Sequence, residues 1–293
     1  MTPEFGRVLT AMVTPFDDNG ELDLGAAEEL ASWLVETGSD GLVLAGTTGE
    51  SPALTESETL ALFRTVRAAV TVPLLAGTGS NSTAHAVSMT KQATRTGVDG
   101  ILSVTPYYNR PPQSGLDAHF RAVAAATDLP VLIYDIPIRT GRKVETETLV
   151  RLANEVDNIV GVKDAAANAP ETANLMSQVG SDFLLYSGDD PMTLAFLAVG
   201  ATGVISVTSH WAARQLGEMV DAFGKGDVET ARSINQSLIP SYLYQSSDTA
   251  PNPIPTKALL RVLGLRVGQC RLPMGPAPDG LADQARAVLN GLG

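Results

Sequence analysis

The stretch Ile159–Asp164 reads IVGVKD, a short apolar run that leads directly into a lysine. Such a run of small and β-branched residues is typical of a buried strand. Lysine is rarely buried without a partner, so Lys163 at the strand end is costly for structure alone. Taken by itself, it is most simply a lysine that snorkels from the strand end to solvent. A lysine partly removed from water, however, has a lowered pKa, and its amine can attack a carbonyl to form a Schiff base.

Seven further apolar runs resemble this strand, and helical patterns alternate with them. The other predicted strands are 8–15, 41–45, 72–76, 100–104, 130–134, 183–187 and 203–207. The predicted helices are 26–36, 55–69, 82–94, 116–127, 146–155, 171–179, 191–199 and 212–223, and Thr55 with Glu58 forms a capping-box pattern in the second. Eight such units, each of roughly 25 to 30 residues, predict a (β/α)8 TIM barrel of parallel strands buried on both faces. The alternative, a doubly wound open sheet, usually has fewer strands and a marked switch point.

The pattern changes after Gly224, where only helical segments follow, at 227–244, 255–263 and 278–292. We therefore expect residues 1–224 to form the barrel that carries the active site. Residues 225–293 are expected to form a C-terminal helical extension packed on it.

Composition excludes several classes of function. The 293 residues carry 20 basic against 32 acidic side chains, a net charge of −12, which disfavours nucleic acid and anionic membranes as partners. Cys270 is the single cysteine, so no internal disulfide can form, as fits a reducing cytoplasm. Residues 1–7 lack a signal-peptide pattern, and no apolar run approaches membrane-spanning length. The histidines do not cluster with acidic residues or cysteine, so no metal is expected.

Polar residues follow several of the strands, at the ends where barrels collect their chemistry. The second strand is followed by 46–51 (GTTGES), whose Thr47 and Thr48 hydroxyls lie among glycine-flanked backbone amides, a plausible cradle for a carboxylate. The fifth ends at Tyr134, which could pass protons, and Arg139 follows, which could hold a carboxylate bidentately.

Each of these features alone also fits an ordinary turn, a strand-end tyrosine or a solvated arginine. Together with Lys163 they predict Schiff-base chemistry on a keto acid, with a second anionic substrate. Asp189 and Asp190 follow the seventh strand, where barrels often bind phosphate, and therefore disfavour a phosphorylated substrate.

Motifs along essentially the whole chain resemble the dihydrodipicolinate synthase family, of the class I pyruvate-dependent aldolase barrels. They are 46–51, 104–111, 134–137, 139–141, 161–165, 186–190, 203–207 and 252–257. Lys163 with the 46–51 motif marks the superfamily, and Arg139 with the two residues after it marks the synthase branch. The resemblance implies condensation of pyruvate with L-aspartate 4-semialdehyde to give 4-hydroxy-tetrahydrodipicolinate, in lysine and diaminopimelate biosynthesis, without cofactor or metal.

The resemblance also implies catalytic roles. Lys163 condenses with pyruvate, and Tyr134 relays protons together with Thr47 and Tyr108. In the family, the tyrosine matching Tyr108 reaches in from a neighbouring subunit, and we expect a homotetramer built as a pair of tight dimers.

The substrate-binding roles follow from the same motifs. Thr48 and nearby backbone amides hold the pyruvate carboxylate, and Arg139 holds the carboxylate of the semialdehyde. Gly188 and the backbone carbonyl of Ile205 line the pocket.

Sensitive members of the family bind free lysine at the dimer interface. Ser51, Asn81 and Tyr107 match that pocket, but His85 stands where an acidic residue is expected. A neutral or cationic His85 cannot neutralise the ammonium of the ligand, so we predict insensitivity to millimolar lysine. Glu56, which stands where a histidine is frequent, could compensate only if it points into the pocket.

Two alternatives stay open at this point. One is a sister lyase, such as N-acetylneuraminate lyase or a 2-keto-3-deoxy sugar-acid aldolase, although these do not usually carry an arginine at position 139. The other is a barrel that has lost catalysis and serves in binding. Ile138 is bulkier than the residue common at its position and leaves the aldehyde specificity open.

Overall fold

The computed structural model describes residues 5–292 and shows a closed barrel of parallel strands. The prediction that residues 1–7 carry no signal peptide therefore falls largely on residues 1–4, which lie outside the described range. The strands are β1 Val8–Ala11, β2 Gly41–Leu44, β3 Leu74–Gly77, β4 Gly100–Val104, β5 Val131–Asp135, β6 Ile159–Asp164, β7 Leu184–Ser187 and β8 Gly203–Ser206. They are hydrogen-bonded in sequence order, and β8 pairs with β1 to close the ring. The predicted (β/α)8 barrel is confirmed.

Helices cover the outside of the barrel and form the C-terminal extension. Around the barrel lie α1 Leu24–Glu36, α2 Glu56–Ala69, α3 Thr83–Thr94, α4 Gln113–Ala124, α5 Pro137–Thr140, α6 Thr146–Glu155, α7 Ala169–Met176, α8 Thr193–Leu197 and α9 Ser209–Gly224. The extension holds α10 Val228–Ser237, α11 Ile239–Tyr244, α12 Ile254–Val262 and α13 Leu281–Leu292. In the described part of the chain, no helix is long and apolar enough to cross a membrane.

Apolar side chains fill two layers, as the two-sided burial of parallel strands requires. One cluster lies between the strands and the surrounding helices, and includes Leu44, Phe63 and Phe120. A second cluster brings together Tyr134, Ile205 and other side chains from alternate strand positions. Side chains alternate between the two sides of a strand, so neighbours in sequence can serve different layers.

The predicted capping box at α2 is confirmed. The Glu58 backbone amide donates to Thr55 Oγ1 at 3.2 Å, and the Thr55 amide donates to Glu58 Oε2 at 2.8 Å. Two amides at the helix start thus gain acceptors, an arrangement that typically contributes about 1 kcal/mol to helix stability.

The boundaries of several elements differ from the sequence-based prediction, and three of these differences change the length or the continuity of an element. The strand predicted at 8–15 ends at Ala11, because Val13 donates to the His210 ring instead of continuing the ladder. The prediction of a single helix at 227–244 is wrong, because the segment forms two helices, α10 and α11, that meet at Leu238. The break precedes Pro240, whose ring is not tolerated in the interior of a helix. The helix predicted at 191–199 is shortened to α8, preceded by a 3-10 turn over Asp190–Met192.

Candidate active site at the carboxyl ends of the strands

Lys163 lies on β6 directly beside Tyr134 on β5, because the two residues are register partners in the parallel ladder. Its side chain is buried, with a residue exposure of 5%, and Nζ lies 4.3 Å from the centroid of the Tyr134 ring. Burial disfavours the ammonium form, and the nearby charge of Arg139 acts in the same direction, whereas the carboxylate of Asp190 opposes both. The pKa of Lys163 is thereby lowered to about 8. Because the residue is buried, Lys163 does not extend from the strand end to solvent.

Tyr134 is fully enclosed at the end of β5. Burial raises the pKa of its phenol to about 12, and a side-chain hydrogen bond with Thr47 partly offsets that rise. The hydroxyl is therefore a neutral donor and acceptor at physiological pH. It is hydrogen-bonded to Thr47, and the face of its ring lies against the amine of Lys163. This is the arrangement that a proton relay requires.

Thr48 is also buried, with 3% exposure, and its side chain contacts a residue of the C-terminal extension. Its Oγ1 accepts a hydrogen bond of 2.9 Å from Asn252 Nδ2, just before α12 in the extension. Since the accepted bond leaves the hydroxyl proton free, Thr48 can donate to an anionic group beside Thr47.

A cavity of about 320 Å³ opens at this end of the barrel. Its lining includes Thr47, Tyr107, Arg139 and Asn252, and therefore combines β2 and β5 loops with the C-terminal extension. Arg139 is exposed on the short helix α5, which the sequence did not predict, and its Nη2 donates to the Asn252 carbonyl at 3.4 Å. A cation in the wall of a cavity suits a carboxylate ligand.

A smaller pocket of about 30 Å³ lies deeper. Thr47 lines both the larger cavity and this pocket, whereas Gly46 and Tyr134 line only the pocket. Thr47 therefore lies between the larger cavity and the buried tyrosine. Lys163 is not in the lining of either space.

Gly188 lies beside Lys163 and Ile205 lies in β8, but neither residue is in the lining of the two spaces described above. A Cβ built on Gly188 would lie 3.0 Å from Lys163 Cγ and 2.9 Å from Ala165 Cβ, so a larger residue would displace the lysine. Ile205 is 1% exposed in β8 and belongs to the same apolar cluster as Tyr134.

Tyr108 is not gathered into the buried group. Its side chain is 90% exposed and its backbone has a φ of 75°, an unusual left-handed conformation for a residue of this size. Its amide donates to the Thr140 carbonyl at 3.3 Å, which ties the loop to α5. Tyr108 is therefore exposed to solvent, unlike the enclosed Tyr134.

The residues predicted for a lysine pocket fall into two groups. Ser51 and Tyr107 both line the 320 Å³ cavity. His85 instead pairs with Glu56, whose Oε1 lies 3.1 Å from His85 Nε2, with both side chains about half exposed. An acidic side chain thus stands beside His85 after all, supplied by the neighbouring helix. Asn81 accepts at its carbonyl from the Asn109 side chain at 2.9 Å.

Sequence reasoning missed the support behind these groups. Glu50, Asn252 and Lys257 lie within the motifs at 46–51 and 252–257, but their contacts cannot be predicted from the sequence because their partners are remote along the chain. Within residues 5–292, no group of three or more His, Cys, Asp or Glu side chains could hold a metal ion.

The closed barrel, with a desolvated lysine and a hydrogen-bonded tyrosine at its strand ends, has the features of the lysine-dependent aldolase class. A family model described as the Dihydrodipicolinate synthetase family matches residues 4–291, and the chain belongs to this family.

Individual relatives agree with this assignment. The chain is 48% identical over 292 residues to the 4-hydroxy-tetrahydrodipicolinate synthase of Moorella thermoacetica, covering 99% of both chains. Among solved structures, it is similar to a dihydrodipicolinate synthase from Bacillus anthracis, with a TM-score of 0.94 and 41% identity over 98% of each chain. It is also similar to the enzyme from Cyanidioschyzon merolae solved with lysine bound, with a TM-score of 0.95 and 44% identity, again over 98% of each chain.

Proposed function

We propose that this protein is a 4-hydroxy-tetrahydrodipicolinate synthase, which condenses pyruvate with L-aspartate 4-semialdehyde in lysine and diaminopimelate biosynthesis. Full-length relatives of 46–48% identity carry that name, and they favour this activity over the sister lyases and over a non-catalytic barrel. The observation that carries the mechanism is the buried Lys163 amine with its pKa lowered to about 8, placed against Tyr134. We place the enzyme in the cytoplasm and expect neither nucleic acid nor membrane as a partner.

The reaction begins with the neutral amine of Lys163. It attacks the keto carbon of pyruvate, and loss of water gives the Schiff base. Tyr134, in contact with Thr47, carries protons to and from the oxygen that leaves, and Tyr108 of a neighbouring subunit completes the relay. Thr48 and the adjacent backbone amides hold the carboxylate, which keeps the keto carbon next to the amine.

Carbon–carbon bond formation follows. Loss of a methyl proton converts the Schiff base to an enamine, whose carbon attacks the aldehyde of the second substrate. Arg139 holds the carboxylate of that substrate at the cavity mouth, Gly188 leaves room beside the lysine, and the backbone carbonyl of Ile205 lines the pocket. Attack of the substrate's own amino group on the former keto carbon then closes the ring and releases Lys163, so the net by-product is one water.

The homotetramer of two tight dimers is part of the same proposal. The 90% exposure of Tyr108 supports it, since a tyrosine so exposed on one chain is free to reach a second.

Borohydride trapping tests the mechanism. Reduction in the presence of pyruvate should attach one reduced pyruvyl group per chain, and peptide mass spectrometry should locate it on Lys163. A label that persists in Lys163→Ala would show that another group reacts. A parallel turnover assay with pyruvate and aspartate semialdehyde tests the overall activity.

A further inference from the structure

The loop that carries Thr47 and Thr48 is tied to the C-terminal extension by a buried ion pair. Glu50 Oε1 lies 2.7 Å from Lys257 Nζ, and both side chains are almost completely buried, at 2% and 1% exposure. The other carboxylate oxygen of Glu50 accepts the backbone amide of Arg271 at 2.9 Å. Both oxygens of Glu50 are therefore committed to the extension.

Lys257 is held equally firmly on α12. Its Nζ also donates to the Gln269 carbonyl at 3.0 Å and lies 4.1 Å from the centroid of the Phe16 ring. A buried ion pair loses solvation on both sides, so its net contribution to stability is commonly small compared with an apolar pair of the same size. A contribution to stability is therefore a weak explanation for a buried Glu50–Lys257 ion pair. A stronger explanation is that the pair fixes the geometry of the loop that carries Glu50.

The ion pair constrains the backbone conformation of Glu50. Its φ is 55°, in the left-handed region that non-glycine residues rarely adopt. Its amide donates to the Thr47 carbonyl at 3.1 Å, which closes the turn that presents Thr47 and Thr48. Such a conformation persists when surrounding contacts over-determine it, and here the side chain of Glu50 supplies them.

Asn252 adds a second tie from the same part of the extension. Its Nδ2 donates to Thr48 Oγ1 at 2.9 Å, and its Oδ1 accepts from Thr256 Oγ1 at 3.1 Å, one residue before Lys257. The side chain of Asn252 therefore orients the Thr48 hydroxyl. Its backbone carbonyl instead accepts from Arg139, so the two functions of this residue can be separated by substitution.

We propose that Glu50, Lys257 and Asn252 are positioning residues that set the affinity for pyruvate by holding the Thr47–Thr48 turn in its carboxylate-binding geometry. Asn252 acts through its bond to Thr48, Glu50 acts through the turn to which it belongs, and Lys257 acts through Glu50. The inference rests on the proposed function, in which Thr48 holds the pyruvate carboxylate.

The test distinguishes a specific effect on pyruvate binding from a general loss of order in the active site. Glu50→Gln keeps the shape but has one acceptor oxygen where Glu50 uses two, and Asn252→Ala removes the bond to Thr48 without removing the carbonyl that Arg139 uses. Each variant should raise the KM for pyruvate about tenfold, as loss of one well-placed hydrogen bond does, while the KM for the semialdehyde stays within twofold. The pyruvate concentration that gives half-maximal borohydride trapping on Lys163 should rise in parallel.

Arg266→Gln is the matched control. Arg266 also joins the extension to the barrel, through exposed ion pairs with Asp23 and Glu29, but it does not touch the binding turn. This variant should leave both KM values unchanged. If Glu50→Gln is shown by circular dichroism not to fold, Asn252→Ala, which removes no charge, decides the question.

Two results would overturn the inference. One is a pyruvate KM within twofold of wild type in the folded variants, and the other is an equal rise in both KM values, which would indicate a merely structural role. Failure of the wild-type protein to trap pyruvate on Lys163 would instead contradict the Schiff-base mechanism, and the steady-state KM values would still decide the role of Asn252 and of the Glu50–Lys257 pair.

Discussion

Burial of Lys163 makes a quantitative prediction about how its amine responds to pH. With a pKa of about 8, roughly a tenth of the amine is neutral at pH 7, about half at pH 8 and about nine tenths at pH 9. Because only the neutral amine is nucleophilic, its reactivity should rise about fivefold from pH 7 to 8 but less than twofold from pH 8 to 9. An amine with the ordinary pKa of 10.5 would instead gain about tenfold over each of these intervals.

Competitive labelling with trace acetic anhydride measures this directly and requires no substrate. The enzyme is labelled at a series of pH values, and the acetylated fraction of the peptide containing Lys163 is read by mass spectrometry. Lys225, which is exposed, serves in the same sample as the reference for the reagent. The ratio of Lys163 to Lys225 labelling should fall with rising pH, as Lys163 approaches its plateau.

Two substitutions should move the midpoint in opposite directions. The Asp190 carboxylate favours the ammonium form, so Asp190→Asn should shift the midpoint to lower pH. The Arg139 guanidinium disfavours it, so Arg139→Gln should shift the midpoint to higher pH. Labelling of Lys163 that rises in parallel with Lys225 from pH 7 to 9 would refute the argument from burial.

The remaining predictions concern the second substrate, the assembly and regulation. Arg139→Ala should raise the KM for aspartate semialdehyde roughly ten- to a hundredfold and that for pyruvate far less, because a charge-assisted hydrogen bond is lost; equal effects in initial-rate assays would argue for a structural role. Tyr108→Phe and Lys163→Ala, each inactive alone, should regain part of the activity when mixed and refolded, since one subunit then supplies the tyrosine and the other the lysine; a complete lack of complementation would count against a shared site. Initial rates at pH 8 should be unchanged by about 1 mM lysine, a level that detects binding near −4 kcal/mol or tighter. Half-inhibition at that level would show that the carboxylate of Glu56 beside His85 serves the ligand, and Glu56→Gln should then abolish the inhibition.

Much of the barrel is predictable from local pattern. The run Ile159–Asp164 is apolar up to its lysine, and parallel strands of this kind are buried on both faces wherever they occur, so the strand and its neighbours can be recognised without a structure. The closed barrel also brings the carboxyl ends of all strands to one face, which is why Lys163, Tyr134 and Thr47 could be assigned to one site. Pro240 signals the break between α10 and α11, but the helical pattern on both sides of it predicts one continuous helix.

The sequence by itself determined the residue types at the strand ends, because their chemistry and their order along the chain are local properties. It did not determine how those residues are held. Asn252 bonds Thr48 across 204 residues, and Lys257 meets Glu50 only because the extension folds back over the barrel mouth. The low pKa of Lys163 is likewise a property of its enclosure, which is the sum of many packing contacts. Tertiary structure alone decided these features, since desolvation and long-range hydrogen bonds arise only when distant segments meet.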